Sequence, residues 1–166
     1  GLGDVYKRQE FKVSLAGNFH KELEADIYDY CIPIGASYPA EVLARRAQNN
    51  LPTTYYTCCT EAFPNTFTFS DPAEAAWMSY YSAKDHLDGY LRWAYNSWPK
   101  EPLLDSRFEA WAGGDTYLVY PGARSSIRFE KLIEGVQAHE KITILRKEFT
   151  DKKNKTGSVS YTHLTL

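Results

Sequence analysis

Strand-forming and helix-forming stretches take turns along this chain at about 30 residues per unit, and that rhythm constrains the fold more than any single motif. Phe11–Ala16 is a short β-prone run closed by Gly17-Asn18, and Ile27–Ile34 is a second, closed by Gly35. Pro39–Gln48 reads as a helix: Pro39 suits a first turn, Glu41 suits the positive helix end, and Asn49-Asn50 stops it. Thr53–Cys59 is a third strand, rich in β-branched and aromatic residues, which predicts that Cys58 and Cys59 point to opposite faces. Thr60–Ser70 is a loop. Asp71–Leu87 is a helix with Pro72 near its start and Ala73, Ala76, Trp77, Tyr80 and Tyr81 on one face. Asp88–Ala94 is a fourth strand, Tyr95–Gly114 a long loop and Asp115–Tyr120 a short apolar run. Ser125–Lys147 is a Ser-capped helix with Phe129, Leu132, Ile133 and Val136 on one face, and Asp151–Gly157 is polar.

Alternation of this kind predicts parallel strands joined by right-handed crossovers. Four units make about half of a (β/α)8 TIM barrel, a fold that typically takes ~250 residues. The expected class is therefore α/β, a partial barrel carrying about the last four strand-helix units. A four-stranded open α/β sheet is the alternative. The two ends do not read as protein. Residues 1–9 resemble a translated sequencing adaptor, and residues 158–166 resemble the adaptor product found at the other end of metagenomic gene predictions. Setting both aside as artefactual leaves a body over 10–149 and a polar tail over 150–157. It also predicts a reading frame cut at both ends, with upstream barrel strands missing.

Composition narrows the function classes. Nineteen Lys and Arg against 21 Asp and Glu give a net charge of -2, so no basic excess points to nucleic acid. No apolar run approaches the ~18 residues of a membrane span. Cys31, Cys58 and Cys59 are an odd number and have no His at ligand spacing, so neither a disulfide framework nor a metal site is expected. His86 and His139 fall in predicted helices. There is no dinucleotide fingerprint, no Walker loop and no nucleophile elbow; Gly113-Gly114-Asp115 reads as a turn. The unusual quantity is 15% aromatic residues. Tyr and Trp pair an apolar face with a polar edge, which suits a sugar ring as well as it suits a core.

In either fold, ligands bind at the C-terminal strand ends. Those ends are polar and aromatic where a buried parallel strand would carry Val, Ile and Leu. Tyr28 lies in the second strand, Tyr56 in the third, and Arg92, Trp93, Asn96 and Trp98 at or beyond the end of the fourth. A buried Arg costs several kcal/mol unless paired, so Arg92 needs a carboxylate partner or a cavity wall, and a structural ion pair serves as well as a site. Trp93 and Trp98, beside Arg92 and Asn96, suit stacking on a sugar face with hydroxyls taken by the polar groups.

Several of these segments carry a resemblance. Gly89–Ser97 (GYLRWAYNS) with Trp98, Gly114–Pro121 (GDTYLVYP), Ser125–Glu130 (SSIRFE), Tyr55–Thr60 (YYTCCT), Pro64–Phe69 (PNTFTF) and Ile27–Cys31 (IYDYC) together resemble the C-terminal part of the catalytic domain of glycoside hydrolase family 123. The likeness spans roughly residues 16–146. It implies a barrel enzyme that removes terminal β-linked N-acetylgalactosamine from glycans or glycolipids. The substrate's own 2-acetamido group serves as nucleophile through an oxazoline, outside the usual two-carboxylate scheme. An adjacent Asp-Glu pair supports that step, Asp orienting the acetamido nitrogen and Glu acting as acid and base. No cofactor or metal is implied. No Asp-Glu dipeptide occurs here, so no catalytic residue is assigned, and the pair is expected upstream. What remains is the substrate-binding set Tyr28, Tyr56, Arg92, Trp93, Asn96 and Trp98, with Tyr56 the candidate donor to the acetamido carbonyl. The rival readings are a non-catalytic sugar-binding module and a structural half-barrel whose aromatics are core.

Overall fold

The computed structural model describes residues 11–151. The two adaptor-like ends and almost all of the polar tail lie outside the described residues. Four parallel strands form one sheet in the order β1-β2-β3-β4: Ser14–Ala16, Asp29–Pro33, Thr53–Thr57 and Gly89–Arg92. Ser14 sits beside Asp29, Tyr30 beside Thr53 and Thr54 beside Gly89. Three α-helices accompany them, α1 over Ala40–Gln48, α2 over Pro72–Lys84 and α3 over Ile127–Asp151. A single 3-10 turn spans Glu24–Asp26.

The pleat explains the layering. Tyr30 and Ile32 of β2, Tyr55 of β3 and Tyr90 of β4 pack with Val42 and Leu43 of α1, Met78 and Tyr81 of α2 and Leu132 of α3. These helices therefore cover one face of the sheet. The alternate residues form the other face, where Asp29 accepts hydrogen bonds from Ser14 (3.3 Å) and Thr54 (3.0 Å). Tyr56 lies further along that face and is half-buried, beside Leu91, which is exposed.

Each helix starts where local chemistry allows. Pro39 precedes α1 with φ -57° and ψ 140°. Asp71 caps α2 by accepting from the Ala73 amide (2.9 Å), and Glu74 reaches back to the Asp71 amide (3.0 Å). Ser126 caps α3, its hydroxyl accepting from the Phe129 amide at 3.1 Å. At the N-terminal strand ends, fully buried Arg46 of α1 donates to the carbonyls of Ile27 (3.0 Å), Tyr28 (2.8 Å) and Pro52 (2.7 Å) and pairs with Glu24.

Several sequence expectations need correction. β3 stops at Thr57 rather than Cys59, because the Cys58 amide donates to the Glu61 side chain (2.6 Å) instead of a neighbouring strand. His86 lies outside α2, in a left-handed conformation with φ 56°. The Leu87 amide bonds back to the Ser82 carbonyl (2.9 Å), a Schellman ending built without glycine. The expected aromatic stripe of α2 is split: Tyr81 packs on the core, Trp77 and Tyr80 are exposed, and Ala75, Met78, Ser79, Ser82 and Ala83 are buried. Small residues win because α3 crosses close by. A Cβ on Gly135 would stand 2.5 Å from the Ala76 carbonyl oxygen. Asp115–Tyr120 is a chain of turns, tied to the loop after β4 by the Leu118 amide on the Tyr95 carbonyl (2.8 Å).

Candidate functional site

The loops that follow β3 and β4 fold together over the C-terminal strand ends. Arg92, the last residue of β4, organises them. Its side chain is 4% exposed and pairs with Asp115, which is fully buried. It donates to the Asp115 carbonyl (2.6 Å) and to the Asn65 amide oxygen (3.1 Å). Asn65 in turn donates to the Cys58 (2.7 Å) and Glu61 (2.6 Å) carbonyls. The sequence requirement for a carboxylate partner is met by Asp115.

Asp115 also receives the Trp93 indole N–H at 3.3 Å. That bond fixes Trp93 while leaving it 44% exposed, tilted against Trp111 with ring centroids 5.2 Å apart and planes at 48°. Two exposed indoles held over a buried ion pair form an aromatic shelf at the end of the sheet. Tyr56 lies one strand away; burial pushes its phenol up, and the nearby Cys58 and Cys31 thiols add to that. It therefore remains a neutral hydrogen-bond donor. Partial burial pushes the Glu61 carboxyl up, but hydrogen bonds from the Cys58 amide and the Thr60 hydroxyl outweigh it and hold Glu61 below the usual carboxylate range. Asp115 holds Arg92 and Trp93 through Oδ1, while its Oδ2 is buried without a hydrogen-bond partner; Glu61 is bonded within its own loop.

Below the shelf, buried Arg128 of α3 donates to the carbonyls of Thr66 and Gly114, the latter at 2.9 Å, and lies 5.4 Å from the Tyr117 ring centroid. Burial pushes its guanidinium down from the ordinary value. Gly113 and Gly114 are required here. Cβ atoms would meet the Ser106 hydroxyl at 2.7 Å and the Thr68 side chain at 2.7 Å respectively, and Gly114 has φ 77°.

The remaining candidates go elsewhere. Trp98 donates its indole N–H to the Val119 carbonyl (2.7 Å) and, with Tyr95, Asn96, Tyr120 and Phe129, lines a separate groove of about 320 Å³. No charged side chain lines that groove. Tyr28 is not part of either cluster. It precedes β2 at the opposite end of the sheet, where its carbonyl accepts from Arg46 and Lys12 lies 4.1 Å over its ring. Trp111, Asp115 and Arg128 were missed by strand-end reasoning because they lie far along the chain from any strand end. The signal available was the Gly-Gly dipeptide beside Trp111 and Asp115. Among the described residues no group of three or more His, Cys, Asp or Glu could hold a metal ion. No described helix is long and apolar enough to cross a membrane.

Comparison with known proteins adds a family. The family model "Glycoside hydrolase 123, catalytic domain" matches residues 4–145. A solved family 123 glycoside hydrolase from Clostridium perfringens, described in terms of glycolipid glycan hydrolysis, is similar in structure with a TM-score of 0.76 and 31% sequence identity. The match covers 89% of this chain and 28% of that one. No curated protein matches.

Proposed function

The chain belongs to the family of glycoside hydrolase 123 catalytic domains, and from that premise we propose that it is the sugar-pocket part of a glycosidase acting on glycans or glycolipids with terminal β-linked N-acetylgalactosamine. The observation that carries this reading is the shelf of Trp93 and Trp111 held over the Arg92–Asp115 pair at the C-terminal strand ends. Indoles stack on the C–H face of a pyranose, and neutral Tyr56 donates to an acetamido carbonyl. Asn96 and Trp98 contribute a second, uncharged aromatic wall further out. No cofactor enters this scheme.

A partial (β/α)8 barrel fits the layering. Strand order follows chain order and the helices lie on one face, so the bare face corresponds to a barrel interior. In the proposed reaction the 2-acetamido oxygen attacks C1 as the glycosidic C–O bond breaks. A general acid protonates the leaving oxygen, and water then opens the oxazoline. The acid in this scheme is the Asp-Glu pair that the family resemblance implies, and no such dipeptide occurs in this sequence.

The test is a titration of the 166-residue chain with N-acetylgalactosamine, followed by tryptophan fluorescence, alongside an assay on an aryl β-N-acetylgalactosaminide. Saturable binding without hydrolysis is expected. Trp93→Ala should weaken binding by about tenfold, as expected for loss of one aromatic face worth about 1 kcal/mol or more. In an intact enzyme carrying this segment, Trp98→Ala should lower kcat/KM by about tenfold with the fold retained. Hydrolysis by the chain alone, or unchanged affinity in Trp93→Ala, would overturn the reading.

A further inference from the structure

We propose that Arg128 is a positioning residue for the Trp93–Trp111 shelf, acting through Gly114 and Asp115. Its functional meaning rests on the sugar-binding reading above; its geometric content does not.

Arg128 is badly placed for stability. It is 3% exposed, and no carboxylate lies within salt-bridge distance of it among the described residues. One of its terminal nitrogens, Nη2, is buried without a hydrogen-bond partner. It also sits in the first turn of α3, the end at which a helix disfavours positive charge. The neighbouring Arg92 adds a like charge. A charge held this way is compensated only by backbone carbonyls and the Tyr117 ring, not by an opposite charge.

What Arg128 does instead is join two loops. Nη1 donates to the Thr66 carbonyl, in the loop after β3, and to the Gly114 carbonyl, in the loop after β4. Thr68 closes the same junction, its amide (2.9 Å) and hydroxyl (3.1 Å) both reaching the Gly113 carbonyl. One residue further on, Asp115 takes Arg92 and the Trp93 indole; three residues back from Gly114 stands Trp111. The Gly113-Gly114 segment therefore connects the anchors of both indoles, and Arg128 fixes that segment from beneath. The left-handed Gly114 leaves room for the guanidinium, since a Cβ there would lie 2.8 Å from Nη1.

The experiment uses the 166-residue chain as wild type, Arg128→Met and Arg128→Lys. A tilted tryptophan pair at this separation gives an exciton couplet in circular dichroism, and Trp93→Phe identifies the couplet by removing it. Helical signal reports the fold independently. In Arg128→Met the helical signal should persist while the couplet collapses, and affinity for N-acetylgalactosamine should fall by about tenfold, because small misplacements of a binding group are costly. Arg128→Lys, which keeps the charge but loses the planar fork, should recover only part of both. An unchanged couplet in both variants overturns the proposal. So does loss of helical signal in both, which would make Arg128 a folding residue, and so does a wild-type chain with no couplet. A couplet that depends on Arg128 in a chain with no affinity for the sugar supports the positioning role and overturns the sugar reading.

Discussion

Of the two buried guanidiniums near the shelf, Arg128 is held by backbone carbonyls and Arg92 by a carboxylate, Asp115, fully buried and 23 residues further along the chain. Asp115→Asn keeps the shape but leaves the Arg92 guanidinium buried without its carboxylate partner. The expected loss is about 3–5 kcal/mol, the usual scale for breaking a buried pair. It should appear as a lower urea midpoint with an unchanged slope; a shift below about 1 kcal/mol would mean that water reaches the pair. The need for a partner was legible in the sequence, because a buried Arg at a strand end is costly unless paired. The partner's identity was not, since Asp115 opens an apolar run and reads as a turn residue. Trp93 was legible for its exposure at a strand end, and Trp111 was hidden in a loop with no periodic signal. Tyr28 stands at the start of its strand, at the opposite end of the sheet from the shelf.

At the scale of elements, the order of strands and helices was legible and several of their ends were not. Strand ends depend on where each amide finds its acceptor, and the acceptor for Cys58 is the Glu61 side chain. The core face of α2 followed from the crossing of α3 over small residues, a tertiary constraint that hydrophobic periodicity within α2 cannot encode. Its start is a local matter. Asp71 and Glu74 satisfy one another's backbone amides, and Glu74 also accepts from the Asn65 amide at 2.8 Å. Asp71→Ala should therefore cost about 1 kcal/mol in thermal or chemical unfolding. Glu74→Ala should cost more, because it also releases the loop that holds Arg92. Equal losses for the two would show that the Asn65 contact contributes nothing.

Across the whole molecule, the helix-facing side of the sheet is dominated by Tyr, while the buried Cys31 thiol sits on the opposite face beside Asp29 and Thr54. Burial pushes the Cys31 thiol from an ordinary 9.0 to about 11, and burial pushes the Tyr117 phenol from 10.0 to about 12. An unfolded chain releases these protons at the ordinary values while the folded chain retains them. Stability from this source is complete below pH about 9 and is lost as pH rises towards 11–12. Denaturant midpoints measured up the alkaline range should fall, and Cys31→Ala should flatten the early part of that fall. A midpoint independent of pH over that range would show that both groups reach solvent.

Strand order equal to chain order also fixes a sequence of events. β1 finds β2 across a short loop, β2 finds β3 after one helix, and β3 finds β4 after the next. Among the described strands, each pairing closes on the strand made just before it. On a ribosome, each unit can dock on the one before it as it emerges, and the growing edge of the sheet is always the most recently synthesised strand. The loop carrying Trp111 and Asp115, and the helix carrying Arg128, follow β4 in the chain, so the aromatic shelf is assembled only after the four described strands have been made.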